Sequence, residues 1–308
     1  MTQPIPIRMG GYGPPTTGFS KALKFIGDRL LAQFGGRLAI DYVWNIMDHG
    51  HKAEDILGMV ENGELTLGYQ SSSYLTDRVP ELGFVDLPFL FSSNAQARAS
   101  MDGALGQYLV RKTEERVGYR ILGWFENGFR HISNRLRPVH VPADLKGMKI
   151  RVLPSEIQRR TFDLLGAIAM RMDLTEAIAM IKAGTLDAQE NPLANTVTYG
   201  VHKFHKFHTL TYHFYISRPV FLHRACFDGW PADLQRAMQS AVTEAVAFQR
   251  TLAVEEHDSS RKIIEQAGCE IVELTAAEYA AFVAAVAPLT ADARTMYGEE
   301  MFKLVAKV

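Results

Sequence analysis

The chain has 308 residues, a length that suits one large domain or two ordinary ones. Its 33 lysines and arginines oppose 34 aspartates and glutamates, so the net charge of −1 excludes broad electrostatic attraction to nucleic acid or to an anionic membrane. Hydrophobic residues make up 47% and charged residues 22%, which is typical of a globular core and excludes a disordered chain.

Cysteine content and apolar runs exclude further classes. Two cysteines are too few for a disulfide framework, and no apolar run reaches the roughly 18 residues that a membrane helix needs. The first residues lack the apolar stretch of a secretory signal, so we expect no signal peptide in this chain.

Short apolar runs alternate with helical stretches, and this order predicts an α/β fold. A first strand is predicted over 5–10, followed by a loop rich in glycine and proline. A helix is predicted from about 20 to 34, where a pair of glycines ends it, and a second strand over 38–44.

An internal echo predicts two lobes. Residues 54–69 and 175–190 both read as a helix, a glycine stop and a strand, with Gly63 aligned to Gly184. Each echo ends in a polar loop. Because ligands of open α/β sheets lie beyond the carboxyl ends of the strands, the two loops predict a cleft.

A long helix is predicted near the C-terminus. Pro231 favours a helix start, and neither glycine nor proline follows until Gly268. A helix of about 36 residues would exceed the width of one lobe, so we expect it to lie across both. Thr275 and Glu278 form a capping box, which predicts one more helix.

Motifs for catalysis, cofactors and metals are weak. The glycines at 10–13 lack the lysine and serine or threonine of a P-loop. Histidines follow one another at intervals of three, three and five, whereas a helical zinc pair has a spacing of four with a glutamate nearby. These histidines are His202, His205, His208 and His213. The sequence therefore predicts no metal, no cofactor and no catalytic residue.

Two arginines and an asparagine favour an anionic ligand. Arg151 lies in a predicted strand over 148–153, where alternation places it with Lys149 opposite the apolar face. Arginine presents a fixed fork of donors that matches a carboxylate. Arg130 and Asn191 would add donors on the same lobe, although a solvated or ion-paired role stays open for each arginine.

Aromatic residues near predicted strand ends are further candidates. Most aromatics fill a core, and this interpretation stays open for each of them. Tyr74, directly after a run of serines, is the best candidate for a cleft position.

Four segments resemble a known family: LGFVDLPFLF (82–91), GWFENGFRHISN (123–134), DLKGMKIRV (144–152) and DAQENPLA (187–194). They are similar to segments of the substrate-binding proteins of TRAP transporters, the tripartite ATP-independent periplasmic systems. The resemblance continues through 205–216 and the long helix, so it covers nearly the whole chain.

The resemblance implies a two-lobed periplasmic-binding-protein fold of α/β class, type II-like, with hinge strands and a long helix spanning both lobes. Lobe I is expected over 1–127 plus about 216–250. Lobe II is expected over 128–215 plus about 251–308, with the C-terminal helices.

The resemblance also implies a set of ligand contacts. Arg151 would pair with the ligand carboxylate, with Arg130 and Asn191 as further contacts. Leu174 stands where a phenylalanine often covers the ligand in the family. The residues expected at the site are Arg151, Arg130, Asn191, Gln189 and Leu174, then Tyr12, Trp44, Ser71, Ser72 and Tyr74 from the first lobe, and Tyr212.

The function implied is that of a non-enzymatic solute receptor in the periplasm, a monomer without cofactor, metal or nucleic acid. It would bind a small organic acid anion by lobe closure and deliver it to membrane permease subunits. The aromatic first lobe and Leu174 favour an aromatic or branched 2-oxo or hydroxy acid over a C4-dicarboxylate. An α/β enzyme acting on a carboxylate and a stand-alone ligand sensor stay open as alternatives.

Overall fold

The structure is a computed structural model and describes residues 3–307. These residues contain nine β-strands and twelve α-helices, joined by loops and short 3-10 helices. The strands are β1 (Ile5–Gly10), β2 (Leu38–Val43), β3 (Leu67–Tyr69), β4 (Tyr119–Asn134), β5 (Lys149–Val152), β6 (Ile168–Arg171), β7 (Ala188–Asn191), β8 (Phe207–His223) and β9 (Glu270–Glu273). The helices are α1 (Gly18–Phe34), α2 (Asp55–Glu61), α3 (Asn94–Asp102), α4 (Ala104–Glu114), α5 (Glu156–Leu164), α6 (Leu174–Lys182), α7 (Leu193–Thr198), α8 (Arg224–Gly229), α9 (Ala232–Gln266), α10 (Ala276–Ala285), α11 (Ala287–Tyr297) and α12 (Glu299–Lys303).

The chain divides into two compact units. Unit 1 consists of residues 3–71, 110–126 and 217–254, and unit 2 of residues 72–109, 127–216 and 255–307. Strands β4 and β8 and helix α9 each contribute residues to both units. The long helix is thus confirmed, with 35 residues.

In unit 1, β1 pairs in parallel with β2 and β3, and β3 pairs antiparallel with the end of β8. Ile7 and Met9 alternate along β1 and are fully buried. The carboxyl ends of β1 and β2 meet at Gly10 and Val43, so the residues after them emerge at one edge of the sheet.

In unit 2, β5 pairs in parallel with β6 and β7, β7 pairs antiparallel with β4, and β8 pairs in parallel with β9. Ile150 and Val152 face a core that also contains Ile132 and Ala188. Lys149 is exposed, as the alternation predicts.

The compact units and the predicted lobes differ over one segment, and the lobe boundaries stay a prediction. Segment 72–109, expected in the first lobe, belongs to unit 2, because hydrogen bonds join it to unit 2. Ser73 accepts a hydrogen bond from Gln158, and Tyr74 accepts one from Arg151. Ser72 and Tyr74 therefore lie in unit 2, whereas Ser71 ends a segment of unit 1.

Two glycines end the helices of the internal echo. Gly63 follows α2 with a φ of +80°, and Gly184 follows α6 with a φ of +70°. In this left-handed region a Cβ atom crowds the following carbonyl oxygen, so the two stops require glycine. The capping box also forms, since the side chains of Thr275 and Glu278 each accept a hydrogen bond from the other residue's backbone. None of the helices within residues 3–307 is long and apolar enough to cross a membrane.

Replacing Gly184 with alanine tests the helix stop. A Cβ at Gly184 would meet no atom within 4 Å, so the cost is that of the left-handed backbone alone. We expect Gly184→Ala to lower the free energy of unfolding by about 1 kcal/mol in urea denaturation. Gly36→Ala is the control, because Gly36 has equally open surroundings and no positive φ. Equal effects of the two substitutions would contradict the assignment.

Candidate functional site

Arg151 is a buried cation at the carboxyl end of β5. Its side chain is 1% exposed. Its Nε donates a hydrogen bond to the Met172 carbonyl oxygen at 3.1 Å, and its Nη2 donates one to the Tyr74 hydroxyl at 3.0 Å. Within residues 3–307, no carboxylate forms an ion pair with it. The guanidinium is therefore held by neutral groups.

The Tyr74 hydroxyl connects Arg151 to the start of α6. It accepts hydrogen bonds from Arg151 and from the Leu174 backbone nitrogen at 3.1 Å, and it donates one to Asp173 Oδ2 at 3.3 Å. A hydroxyl has one proton and two lone pairs, so these three bonds occupy it fully. Burial raises the pKa of Tyr74 against the charge of Arg151, and the hydroxyl stays neutral. In this structure Tyr74, the sequence's best candidate for a cleft position, orients Arg151, and its contact with a ligand stays a prediction.

Two amides lie beside Arg151 on the same face of the sheet. Arg151 is the register partner of Gln189, and Asn191 follows two residues later on β7. Alternation places all three side chains on one face. The Asn191 amide donates to Gln189 Oε1 at 3.3 Å, and the Gln189 amide donates to the Thr196 hydroxyl at 3.3 Å. The structure thus brings together three of the predicted residues.

The amides continue into residues that the sequence reasoning missed. Asn195 Nδ2 donates to Asn191 Oδ1 and to Asn127 Oδ1, both at 3.1 Å. The Asn127 Nδ2 atom is buried without a hydrogen-bond partner among residues 3–307. Asn191 ends β7 whereas Asn195 lies on α7, so no single periodicity in the sequence links the two amides. A buried amide with donors to spare suits a polar ligand.

Arg130 has a carboxylate partner within unit 2. Its Nε and Nη2 contact the Glu190 carboxylate, with Nη2 at 2.8 Å from Oε1, and both side chains are buried. Burial acts to raise the pKa of Glu190, but the Arg130 charge together with hydrogen bonds from His213 and Arg130 lowers that pKa below its usual range. Glu190 is the register partner of Ile132, so alternation places it and Arg130 on the face opposite Arg151. Ligand contact by Arg130 stays a prediction.

Unit 1 gathers two of its predicted residues at one edge of its sheet. Tyr12 follows β1 and is buried, and its backbone bridges to Asn45, directly after Trp44. Trp44 is half-buried and stacks on Tyr42, with ring centroids 4.3 Å apart.

Ser71 and Ser72 are buried serines. Ser71 ends the first segment of unit 1, and Ser72 begins the first segment of unit 2. Neither hydroxyl oxygen has a hydrogen-bond partner among residues 3–307. A buried hydroxyl without a partner costs about 1–3 kcal/mol. Such hydroxyls can donate to a bound solute.

A third buried arginine, which the sequence reasoning missed, lies in unit 1. The Arg218 guanidinium carbon lies 4.0 Å from the centroid of the Phe19 ring and 5.0 Å from that of Tyr12. Aromatic faces attract a guanidinium, so the rings hold this cation in place. No motif identified it, because the three side chains come together only in the fold.

Comparisons with known proteins identify the chain's relatives. A protein-family model described as bacterial extracellular solute-binding protein, family 7, matches residues 9–296. The chain belongs to this family. The predicted resemblance to the substrate-binding proteins of TRAP transporters is confirmed.

Individual relatives agree with this assignment. A solute-binding protein of Verminephrobacter eiseniae is 32% identical over 86% of this chain and 78% of its own length. The 2,3-diketo-L-gulonate-binding periplasmic protein YiaO of Escherichia coli is 32% identical over 71% of this chain and 67% of its own length. The crystal structure of the sugar acid binding protein DctPAm of Advenella mimigardefordensis with galactonate has a TM-score of 0.93 and 25% identity, covering 99% of this chain and 97% of that one. The predicted fold class is confirmed.

Tyr212 lies in a separate surface pocket of unit 2. It is 39% exposed and has a φ of +49°. Its ring makes an edge contact with His131, with ring centroids 4.6 Å apart, and another with Phe129. The pocket is lined by Phe91, Ser92, Ser93, Asn94, Phe129, Tyr212 and Tyr279. This position gives Tyr212 no contact with Arg151 within residues 3–307.

The histidines of this family 7 member are packed in unit 2. Residues 3–307 contain no group of three or more potential ligands that could hold a metal ion. His208 Nε2 lies 3.0 Å from the His205 carbonyl oxygen, and His205 Nδ1 lies 3.0 Å from the Ser133 hydroxyl. Burial lowers the pKa of His205 to about 3 and that of His208 to about 4. Both are therefore buried as neutral rings.

The pH dependence of folding tests this burial. Between pH 4 and 6.5, His208 is neutral in the folded chain and protonated in the unfolded one, so stability rises with pH. We expect His208→Gln to reduce the slope of the unfolding free energy against pH by up to about 1.4 kcal/mol per unit in this range. Urea denaturation at several pH values measures it. Equal slopes for variant and parent would show that His208 titrates normally.

Proposed function

We propose that the chain is the periplasmic solute receptor of a TRAP transporter and binds a small organic acid through Arg151. The observation that carries the proposal is the burial of Arg151 without a carboxylate partner among residues 3–307. Membership of an extracellular solute-binding family supports the receptor role, the periplasmic location and delivery to membrane permease subunits.

The energetics favour Arg151 over Arg130 as the anchor. A buried cation has lost its hydration, and neutral hydrogen bonds offset only part of that cost. Glu190 already supplies the anion for Arg130, whereas Arg151 gains one only when a carboxylate binds. The free-energy gain from a bidentate carboxylate is therefore largest at Arg151.

We favour a sugar acid as the ligand. Two relatives are named for sugar acids, a diketogulonate and a galactonate. A polyhydroxylated acid needs several hydrogen-bond partners besides the carboxylate anchor. Ser72 and Asn127, both in unit 2, have buried side-chain atoms without such partners within residues 3–307, which suits hydroxyl groups.

An aromatic or branched 2-oxo or hydroxy acid stays the prediction drawn from the sequence. Its support is the aromatic pair Tyr12 and Trp44 in unit 1 and the short side chain of Leu174 in unit 2. Contact of these residues with a ligand is likewise a prediction, as is closure of the lobes, which small-angle X-ray scattering with and without ligand would measure.

A thermal-shift panel identifies the ligand class. The panel contains D-galactonate, 2,3-diketo-L-gulonate, succinate, phenylpyruvate and 2-oxoisovalerate. An acid present at about 100 times its dissociation constant should stabilise the fold by about 2.7 kcal/mol. We expect the sugar acids to raise the melting temperature most. Stabilisation by neutral sugars or amines alone would overturn the carboxylate class.

Removing the charge of Arg151 tests the anchor. We expect Arg151→Gln to weaken binding of the best acid at least about thirty-fold in isothermal titration calorimetry, because the carboxylate loses a buried, charged partner. Arg159→Gln is the matched control, since it removes the same charge from a surface arginine of unit 2 whose side chain is 39% exposed. Unchanged affinity in Arg151→Gln would remove Arg151 from the site.

A further inference from the structure

A single buried amide connects the two segments that carry Tyr74 and Arg151. Gln158, on α5, is fully buried. Its Nε2 donates to the Ser73 hydroxyl at 3.1 Å, one residue before Tyr74. Its Oε1 accepts from the Leu153 backbone nitrogen at 3.2 Å, two residues after Arg151. Both ends of the amide are therefore used, one for each segment.

Asp86 sets the direction of these hydrogen bonds. Its Oδ1 lies 2.7 Å from the Ser73 hydroxyl. An ionised carboxylate only accepts, so Ser73 must donate its proton to Asp86 and keep its lone pairs for Gln158. Burial raises the pKa of Asp86 to about 6, against hydrogen bonds from neighbouring side chains that lower it, so Asp86 is mostly ionised at neutral pH. Gln158 then has one orientation that satisfies both of its ends.

We propose that Asp86, Ser73 and Gln158 are positioning residues that hold the Tyr74 hydroxyl against the Arg151 guanidinium and thereby set the affinity for the carboxylate. The effect on affinity rests on the proposed function; the effect on Arg151 itself does not. None of the three residues has a hydrogen bond to Arg151, so they act through the two segments.

The local structure explains why Tyr74 needs positioning residues. Tyr74 lies in a 3-10 turn, Ser72–Leu75, a type of turn whose hydrogen-bond geometry is poorer than that of an α-helix. Besides Ser73, the turn is held by Thr76, whose hydroxyl lies 3.0 Å from the Ser73 carbonyl oxygen and 3.2 Å from that of Pro154. A buried carboxylate without a cation costs free energy. Asp86 has none within residues 3–307, and hydrogen bonds from neighbouring side chains, among them that of Ser73, offset part of the cost.

Hydrogen exchange at Arg151 tests the positioning without any ligand. The Arg151 Nε–H bonds to Met172 O, and the Arg130 Nε–H bonds to Glu190, so two NMR signals report on the two arginines. Arg151→Lys and Arg130→Lys spectra assign them. We expect Ser73→Ala and Gln158→Met to speed exchange of the Arg151 proton at least about ten-fold and to leave the Arg130 proton unchanged. Ser100→Ala, at another buried serine of unit 2, should change neither.

Ligand binding provides the second readout, with D-galactonate, 2,3-diketo-L-gulonate and succinate as probes. We expect Gln158→Met to weaken binding of the best probe about ten-fold, and Tyr74→Phe to weaken it similarly. If Gln158 acts through Tyr74, the double variant should bind no more weakly than Tyr74→Phe alone. Additive losses would show that Gln158 acts by a different route.

The two readouts separate the possible failures. If the parent binds none of the probes, the proposed ligand class is wrong, and the exchange rates still decide the positioning. If Arg151 exchange is unchanged in both folded variants, the positioning is wrong whatever the parent binds. Circular dichroism and melting temperature establish that each variant is folded before either readout is taken.

Discussion

A buried cation whose hydrogen bonds go to neutral atoms is the constraint on which unit 2 is organised. The Arg151 guanidinium is buried, and within residues 3–307 only neutral atoms, the Met172 carbonyl and the Tyr74 hydroxyl, accept its hydrogen bonds. Neutral partners offset only part of the cost of removing the guanidinium from water, and the Asp173 carboxylate is connected to it only through the Tyr74 hydroxyl. An anion bound directly to the guanidinium would therefore add stability. The neighbouring side chains hold the guanidinium in a fixed geometry.

Arg130 and Arg151 show how one sheet gives two arginines different roles. The pleat places them on opposite faces, and Glu190 neutralises Arg130, whereas no carboxylate of the described residues forms an ion pair with Arg151. Because both partners of this ion pair are buried, removing either one would leave a buried charge unpaired. The role of the pair is therefore structural. The residue type was the same in both cases; the strand register decided which arginine remained available.

Sequence periodicity predicted the elements well and the side-chain partners poorly. The β1 strand, the glycine stops at Gly63 and Gly184, the capping box at Thr275 and the long helix depend on residues close together in the chain, so local patterns were sufficient. Segment 72–109, expected in the first lobe, groups with unit 2 because the bonds of Ser73 and Tyr74 reach residues far along the chain. No local pattern contains that information.

The sequence by itself determined the α/β class, the two similar helix and strand units and the family. It also gave Arg151, Asn191 and Gln189 as expected contacts of a ligand. Only the tertiary structure decided that Tyr74 serves Arg151, that Glu190 occupies Arg130, and that Asn127, Asn195 and Gln158 belong to the polar network. The physical reason is the separation along the chain of the residues that interact. Helix stops and strand alternation arise from backbone geometry within a few residues, whereas a buried charge finds its partners only when distant strands come into register.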